Sequence, residues 1–258
     1  PVERGLDCSN GGVDLYNLTV DGVGLATVAD SFAAIEQRVV AEKRLTWDEL
    51  AAHMENDWAG AESVRLMMAH VPRFGAGGTR ADGWAKRISD TYVRLYKERP
   101  TPRGFNVIPG LFSHGDVVHL GKKLGATPNG RRAGAPISHS ANPDPGFLAG
   151  GAAPTAKSTA VAAVQPGWGN SAPLQLDIDK QLLQERGGME ALEALVKTHN
   201  QQGGTLINLN VISKEQILEA HEDPSKHPDL VVRVTGYSAY FHSLSKEYRQ
   251  QIVDRLLA

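Results

Sequence analysis

The sequence has a single cysteine, Cys8, among its 258 residues. One cysteine excludes a disulfide within the chain and fits a reducing compartment, so we expect a cytoplasmic location. No stretch approaches the roughly 18 apolar residues that a membrane-spanning helix needs. The 27 basic and 29 acidic side chains form no polybasic tract. Neither a membrane surface nor nucleic acid is therefore an expected partner.

The apolar pattern divides the chain into helical and strand-forming parts. A helical stripe follows Asp30 or Ser31, either of which is placed to cap it, and Thr46 with Glu49 forms a capping box for a second helix. Residues 101–147 are dense in glycine and proline, with short extended pieces over 105–108 and 117–120. Strands over 172–178, 205–212 and 230–235 alternate with helices, which predicts parallel pairing with helical crossovers.

Gly236 interrupts "DLVVRVTGYSAYF" between a valine-rich strand and an aromatic run. One explanation is a tight turn that needs a positive φ angle, the commonest use of an isolated glycine. However, no asparagine, aspartate or proline stands beside Gly236, and its flanks are typical of buried strands. A second explanation is chemical, because glycine has an α-hydrogen whose removal leaves a planar radical with no side chain to clash. Such a loop would be buried, away from oxygen and solvent.

The segment "RVTGYSAYF" resembles the radical-bearing signature of the glycyl radical enzymes. Further blocks resemble that family in the same order, among them "GVGLATVADSFAAI", "GATPNGRRAGAP", "NLNVISKEQILEA" and "DPSKHPDLVVRV". The ending Ser238-Ala239-Tyr240-Phe241 is closer to the dehydratase, decarboxylase and lyase branch than to pyruvate formate-lyase itself.

The resemblance implies an α/β fold, the C-terminal half of a ten-stranded α/β barrel, with surrounding helices and a buried glycyl radical loop. Residues 1–140 would be the C-terminal part of the barrel domain, and residues 141–258 the glycine radical domain. Gly236 would hold a radical and pass it to a cysteine, which abstracts hydrogen from a small metabolite. An activating enzyme that uses S-adenosylmethionine and an iron–sulfur cluster would install the radical, and the chain itself would bind no cofactor or metal.

One motif of the family is missing. The catalytic cysteine of such enzymes lies in a G-C-x-E motif, which this chain lacks, and Cys8 falls in a different block, where we interpret it as a packing residue. Because the chain begins at Pro1 in the middle of a pattern, we expect a missing N-terminal part to carry that cysteine. The chain alone would then be inactive, and the complete enzyme a homodimer. The alternatives are a formate C-acetyltransferase, a stand-alone radical carrier, or an inactive scaffold.

Several other residues are candidates for supporting roles. Arg233, Tyr237 and Ser238 would support the loop, Arg233 through an ion pair with a helix carboxylate or by contacting substrate. Asn106 and Val107 are candidates for the substrate pocket, and they stand where relatives often carry an arginine and an aromatic residue.

Three further polar patterns stay open or are rejected. Asn208 and Asn210 share a strand face and are either buried with partners or line the barrel. "GAAPTAKST" over 151–159 has Ala156 where a phosphate-binding loop needs a glycine before its lysine, so no phosphate-binding loop is expected there. The spacing of His114, Asp116 and His119 matches no familiar metal-ligand set.

Overall fold

The computed structural model describes residues 1–99, 101, 104–112, 115–144, 153–165 and 172–257. The helices are α1 (Leu25–Ala34), α2 (Trp47–Glu55), α3 (Glu62–Ala69), α4 (Arg80–Lys97), α5 (Val117–Lys122), α6 (Pro154–Ala163), α7 (Lys180–Gln184), α8 (Gly188–Gln201), α9 (Lys214–Glu222) and α10 (Lys246–Leu257). The strands are β1 (Asn17–Asp21), β2 (Asn106–Gly110), β3 (Leu174–Asp179), β4 (Ile207–Ile212), β5 (Val231–Arg233) and β6 (Ser238–Tyr240). Helix α1 continues into a wider π-helical turn over Ile35–Ala41.

The strands of the described residues form three separate pairs. β1 pairs with β2 and β3 pairs with β4, both in parallel, whereas β5 and β6 form an antiparallel hairpin. The parallel pairing predicted for the last third of the chain is confirmed for β3 and β4, with α7 and α8 as the crossover. A five-stranded half-barrel is not confirmed, because no backbone ladder joins one pair to another within the described part.

Two predicted local features differ from the structure. Asp30 and Ser31 are not caps, because α1 begins earlier, after Gly24, and both side chains are buried in mid-helix. Residues 117–120 belong to helix α5 and not to a strand; an apolar run this short is compatible with either element. Lys157, in the stretch that lacks the phosphate-loop glycine, lies in helix α6. The capping box of Thr46 and Glu49 is confirmed at the start of α2.

Three apolar clusters hold these elements together. The largest lies between α1, α4, α6 and β3 and includes Leu25, Ala85, Val161 and Leu174. A second surrounds Trp58 beside α2 and α3. A third joins the ends of β4, α9, β5 and α10 through residues such as Ile212, Ile217, Val232 and Ile252. This third cluster lies directly behind the hairpin that carries Gly236.

Among the described helices, none combines the length and the apolar character needed to cross a lipid bilayer.

Candidate functional site

Gly236 lies at the tip of the β5–β6 hairpin. The Val234 N–H donates to the Tyr237 carbonyl at 2.9 Å, which leaves Thr235 and Gly236 as the two central residues of the turn. Thr235 is buried, but Gly236 is exposed and the Tyr237 side chain is 50% exposed. The predicted burial of this loop is therefore wrong for the chain as it stands, since no other described segment covers the outer side of the hairpin.

The backbone and surroundings of Gly236 do not require a glycine. Its φ angle lies outside the left-handed region, so the explanation by a turn with positive φ is wrong. A methyl group built on its α-carbon would lie 3.9 Å from Phe112 Cζ, an ordinary contact, and within 4 Å of no other described atom. Gly130 is different, because it has a φ of +83° and a methyl group there would lie 2.9 Å from the Arg65 carbonyl oxygen. Local packing thus leaves the choice of glycine at position 236 unexplained.

The segment that follows β2 lies beside the hairpin. Phe112 approaches Gly236, and a methyl group built on Gly115 would lie 3.8 Å from the Tyr237 hydroxyl oxygen. Tyr248, at the start of α10, is close by: burial raises its pKa, and the nearby Asp116 and Tyr237 raise it further. The carboxyl end of β2 and the start of α10 are therefore the described neighbours of the glycine loop.

A buried polar cluster of Asp177, Asn210 and Arg255 lies behind the hairpin; we call it the buried cluster. Asp177 on β3 and Asn210 on β4 are register partners, so their side chains share one face of the parallel pair. The Asn210 amide donates to Asp177 Oδ1 at 2.6 Å. Arg255 on α10 places Nε 3.0 Å from Asp177 Oδ2, and the side chains of this ion pair are 4% and 1% exposed. That Nε contact lacks the angle of a hydrogen bond, but Nη2 donates to Asp177 Oδ1 at 3.4 Å.

The buried cluster binds the backbone two and three residues before Gly236. Asn210 donates to the Arg233 carbonyl at 2.8 Å and accepts from the Arg233 N–H at 2.6 Å. Arg255 donates to the Val234 carbonyl at 2.8 Å and to the Arg233 carbonyl at 3.1 Å. The Asn210 side chain thus takes the place of a neighbouring strand along β5. Of the two alternatives for Asn210, burial with partners is the one observed.

Asn208 and Lys157 complete the polar surroundings of this region. Asn208 is 6% exposed, and its amide nitrogen has no hydrogen-bond partner among the described residues. The pKa of Lys157 is lowered to about 8, mainly by burial and in smaller part by the positive charge of Arg255, although the carboxylate of Asp177 acts in the opposite direction. The interior behind the hairpin therefore concentrates charge around Asp177.

The side chain of Arg233 does not make the predicted ion pair with a helix carboxylate. Within the described part of the chain, its side-chain contact is a long hydrogen bond from Nη1 to Ser238 Oγ, at 3.4 Å. Arg255 supplies the buried positive charge instead, because α10 packs against the inner side of the hairpin while the Arg233 side chain points along its edge. Ser238 begins β6 and is exposed, so it joins the two strands only at their surface.

Asn106 and Val107 lie on opposite faces of β2, as neighbours on a strand must. Asn106 is exposed and donates to the Asn17 side chain across the β1–β2 pair at 3.0 Å. Val107 lines a mainly apolar cavity of about 450 Å³ between this sheet and the end of α4, together with Leu18, Leu95 and Tyr96. The two predicted candidates therefore lie on different sides of the β1–β2 pair.

Cys8 is exposed in a short 3₁₀ turn over Cys8–Asn10. The interpretation of Cys8 as a packing residue is wrong, because no apolar cluster surrounds this N-terminal segment. His114 lies outside the described residues.

Sequence reasoning missed Asp177 and Arg255, and only Arg255 leaves a signal. Arg255 follows Tyr248 by seven residues and so lies on the same face of α10. Asp177 leaves none, because its alternation with Leu176 and Ile178 predicts a side chain on the face opposite the apolar residues.

Comparison with known proteins identifies the class to which this fold and hairpin belong. Residues 1–121 match the family model described as pyruvate formate lyase-like, and residues 137–242, which include Gly236, match the one described as glycine radical. The chain belongs to the glycyl radical enzyme family, and the resemblance seen in its sequence motifs is confirmed.

Several of the individual relatives are dehydratases and lyases. Trans-4-hydroxy-L-proline dehydratase from Clostridioides difficile is 29% identical over 98% of this chain, which covers 32% of that protein. Isethionate sulfite-lyase from Desulfovibrio desulfuricans is 31% identical over 90% of this chain, which covers 28% of it. The structure of a B12-independent glycerol dehydratase from Clostridium butyricum with glycerol bound superposes with a TM-score of 0.84 and 30% identity, over 98% of this chain and 32% of its own. The chain thus spans about a third of the length of these relatives.

Proposed function

We propose that Gly236 stores an organic radical on its α-carbon and that the chain is the radical-bearing part of a glycyl radical lyase or dehydratase. The observation that carries this proposal is the absence of a structural need for glycine at this position: φ is unexceptional and an added methyl group has room. Position 236 also falls within the part of the chain that matches the glycine radical model. Gly83 and Gly125 are equally free of packing needs, so we assign radical chemistry to Gly236 because this freedom coincides there with the radical-bearing motif.

The chemistry proposed for Gly236 is the loss and recovery of one hydrogen atom. Removal of that atom leaves an unpaired electron shared between the α-carbon and its two flanking peptide groups, and no side chain opposes the planar geometry. An activating enzyme that uses S-adenosylmethionine and an iron–sulfur cluster would remove the first hydrogen. The glycyl radical would then take a hydrogen from a cysteine thiol, leaving a thiyl radical that abstracts hydrogen from the substrate.

The exposed apolar face of β4 supports a second polypeptide segment as a partner. Strand β4 buries Asn208 and Asn210 and turns Leu209 and Val211 outward, and Val211 is 46% exposed. Burying polar residues while exposing apolar ones reverses the usual pattern of a strand at a protein surface. We propose that a part corresponding to the remaining length of the relatives covers this surface and Gly236 and brings the cysteine. That part would also extend β1–β2 and β3–β4 into the ten-stranded barrel.

Within this proposal, residues 1–140 complete the barrel and residues 141–258 form the radical domain of a cytoplasmic homodimer. The substrate class would be a small polar metabolite that loses water or another leaving group. Formate C-acetyltransferase activity is the alternative, and it is separated by products: that enzyme forms formate and an acyl thioester, whereas a lyase releases the leaving group of its substrate. A stand-alone carrier would instead restore radical content to a partner that has lost its own glycine.

Cleavage of the chain by oxygen tests where the radical lies. The protein is activated anaerobically, exposed to air and examined by mass spectrometry, and we expect a break at Gly236 that releases a peptide covering residues 237–258. The Gly236→Ala variant should stay intact under the same treatment. A break at another glycine, or an equal break in the variant, would show that Gly236 does not hold the radical.

A further inference from the structure

We propose that Asp177, Asn210 and Arg255 are positioning residues that fix Gly236 in place for hydrogen transfer, an inference that rests on the proposed function of Gly236. These residues do not touch the α-carbon. They act through the backbone of Arg233 and Val234, from which the glycine loop extends.

The glycine loop itself has few restraints. Gly236 has no side chain and is exposed, and the turn is closed by one backbone hydrogen bond, from Val234 to Tyr237. The contact between the side chains of Arg233 and Ser238 is long, at 3.4 Å, and lies at the surface, so it restrains little. The place of Gly236 must therefore be set by whatever holds the strand that leads to it.

The buried cluster holds that strand with four hydrogen bonds. Two join the Asn210 amide to the N–H and carbonyl of Arg233, and two join the Arg255 guanidinium to the carbonyls of Arg233 and Val234. The Arg255 bonds are charge-assisted, and the Asp177–Arg255 ion pair behind them is almost fully buried. Buried, charge-assisted hydrogen bonds from a planar guanidinium are both strong and directional. The two carbonyls are thus fixed from one side by a rigid fork.

Three separate elements meet at this point. Asp177 belongs to β3, Asn210 to β4 and Arg255 to α10. The position of the hairpin is therefore fixed relative to both the β3–β4 pair and the last helix. Hydrogen transfer between a glycine and a thiol depends steeply on the distance between donor and acceptor, and a misplacement of about 1 Å can cost about a hundredfold in rate. Fixing the backbone of residues 233 and 234 therefore restricts the distance between Gly236 and an approaching thiol.

Hydrogen exchange measured by mass spectrometry tests the anchor without any radical chemistry. Arg255→Lys keeps the charge but cannot form the fork, and we expect amide exchange in a peptide covering residues 231–240 to rise by about tenfold or more. The matched control is Arg73→Lys, which weakens the other buried ion pair, with Asp30, whose side chains are 3% and 1% exposed. This control should leave exchange in residues 231–240 unchanged. Equal protection of that peptide in both variants would overturn the inference.

The lifetime of the radical then tests the functional consequence. After anaerobic activation, the electron paramagnetic resonance doublet of Arg255→Lys should decay about tenfold faster than that of the unaltered protein, because a loosened loop meets other hydrogen donors. Asn210→Ser, which removes the amide bridge, should act in the same direction, and Arg73→Lys should not. Faster exchange with an unchanged decay would make the cluster purely structural and overturn the inference. If the unaltered protein gives no doublet at all, the proposed function fails as well, and the exchange data distinguish that failure from a failed anchor.

Discussion

Replacing Gly236 by alanine should leave the stability of the chain unchanged or slightly higher. At most positions where a protein needs glycine, either φ is positive or a neighbouring atom occupies the space of a β-carbon. Neither holds at position 236, where the nearest described atom to an added methyl group, Phe112 Cζ, is 3.9 Å away. Alanine can therefore be accommodated without moving the hairpin.

The expected magnitude follows from the unfolded state. A compatible glycine-to-alanine change stabilises by about 0.4–1 kcal/mol, because alanine restricts the unfolded chain. We expect Gly236→Ala to change the free energy of unfolding by between 0 and about +1 kcal/mol, which raises the melting temperature by about 0–4 °C for a chain of this length. The same variant should lose all radical signal.

Chemical denaturation followed by circular dichroism measures the change in the free energy of unfolding of Gly236→Ala, with Gly130→Ala as the control. Gly130 has a φ of +83°, and its methyl group would lie 2.9 Å from both the Arg65 carbonyl oxygen and the Ala69 β-carbon. That variant should lose at least about 2 kcal/mol through backbone strain and a steric clash. A loss above about 1.5 kcal/mol in Gly236→Ala would mean that the fold itself needs this glycine, and the reasoning that leads from its structure to its chemistry would be refuted.

Two further predictions concern buried charges. Burial raises the pKa of Asp144 to about 7. Between about pH 4 and pH 7 the folded chain therefore keeps a proton on Asp144 that the unfolded chain releases. The stability due to this group is complete below about pH 4 and is lost as the pH rises through about 7. Between pH 5 and 8 Asp144 should lower the free energy of unfolding of the unaltered chain by about 2–3 kcal/mol. Asp144→Asn should make the fall smaller by that amount, and what remains comes from Asp30, whose pKa burial raises to about 6; parallel slopes would contradict the prediction. Arg255→Met should cost about 3–5 kcal/mol in urea denaturation, because it leaves Asp177 buried and unpaired, whereas Arg233→Met should change stability by less than about 0.5 kcal/mol. Equal effects of the two changes would contradict the assignment of Arg255 as the buried partner.

The position of the hairpin could be predicted from the motif around Gly236, but its exposure could not. Whether a loop is buried depends on every segment that packs over it, and the chain spans about a third of the length of its relatives. The predicted barrel meets the same limit. Alternating strands and helices predict parallel pairs, which form for β3 with β4 but not for β5, and no ladder joins one pair to another within the described residues.

The buried cluster shows which part of a site escapes sequence reasoning. Asp177 and Asn210 become neighbours through the register of β3 and β4, which no single strand specifies. The motif singles out Arg233 as a residue that supports the loop, but sequence cannot tell whether a residue acts through its side chain or its backbone. Here the backbone of Arg233 receives the hydrogen bonds, and the charge comes from Arg255 on another element. For Asn106 and Val107 the period of a strand was sufficient to show that they face opposite sides.

Electron paramagnetic resonance of the anaerobically activated protein, grown with ordinary or α-deuterated glycine, decides whether Gly236 holds a radical. A single α-hydrogen splits the signal of a glycyl radical, so we predict a doublet that collapses to a single line with deuterated glycine and is absent from Gly236→Ala. A doublet of equal intensity in Gly236→Ala would contradict the account. So would the absence of any signal when a related dehydratase, activated in parallel, gives its own.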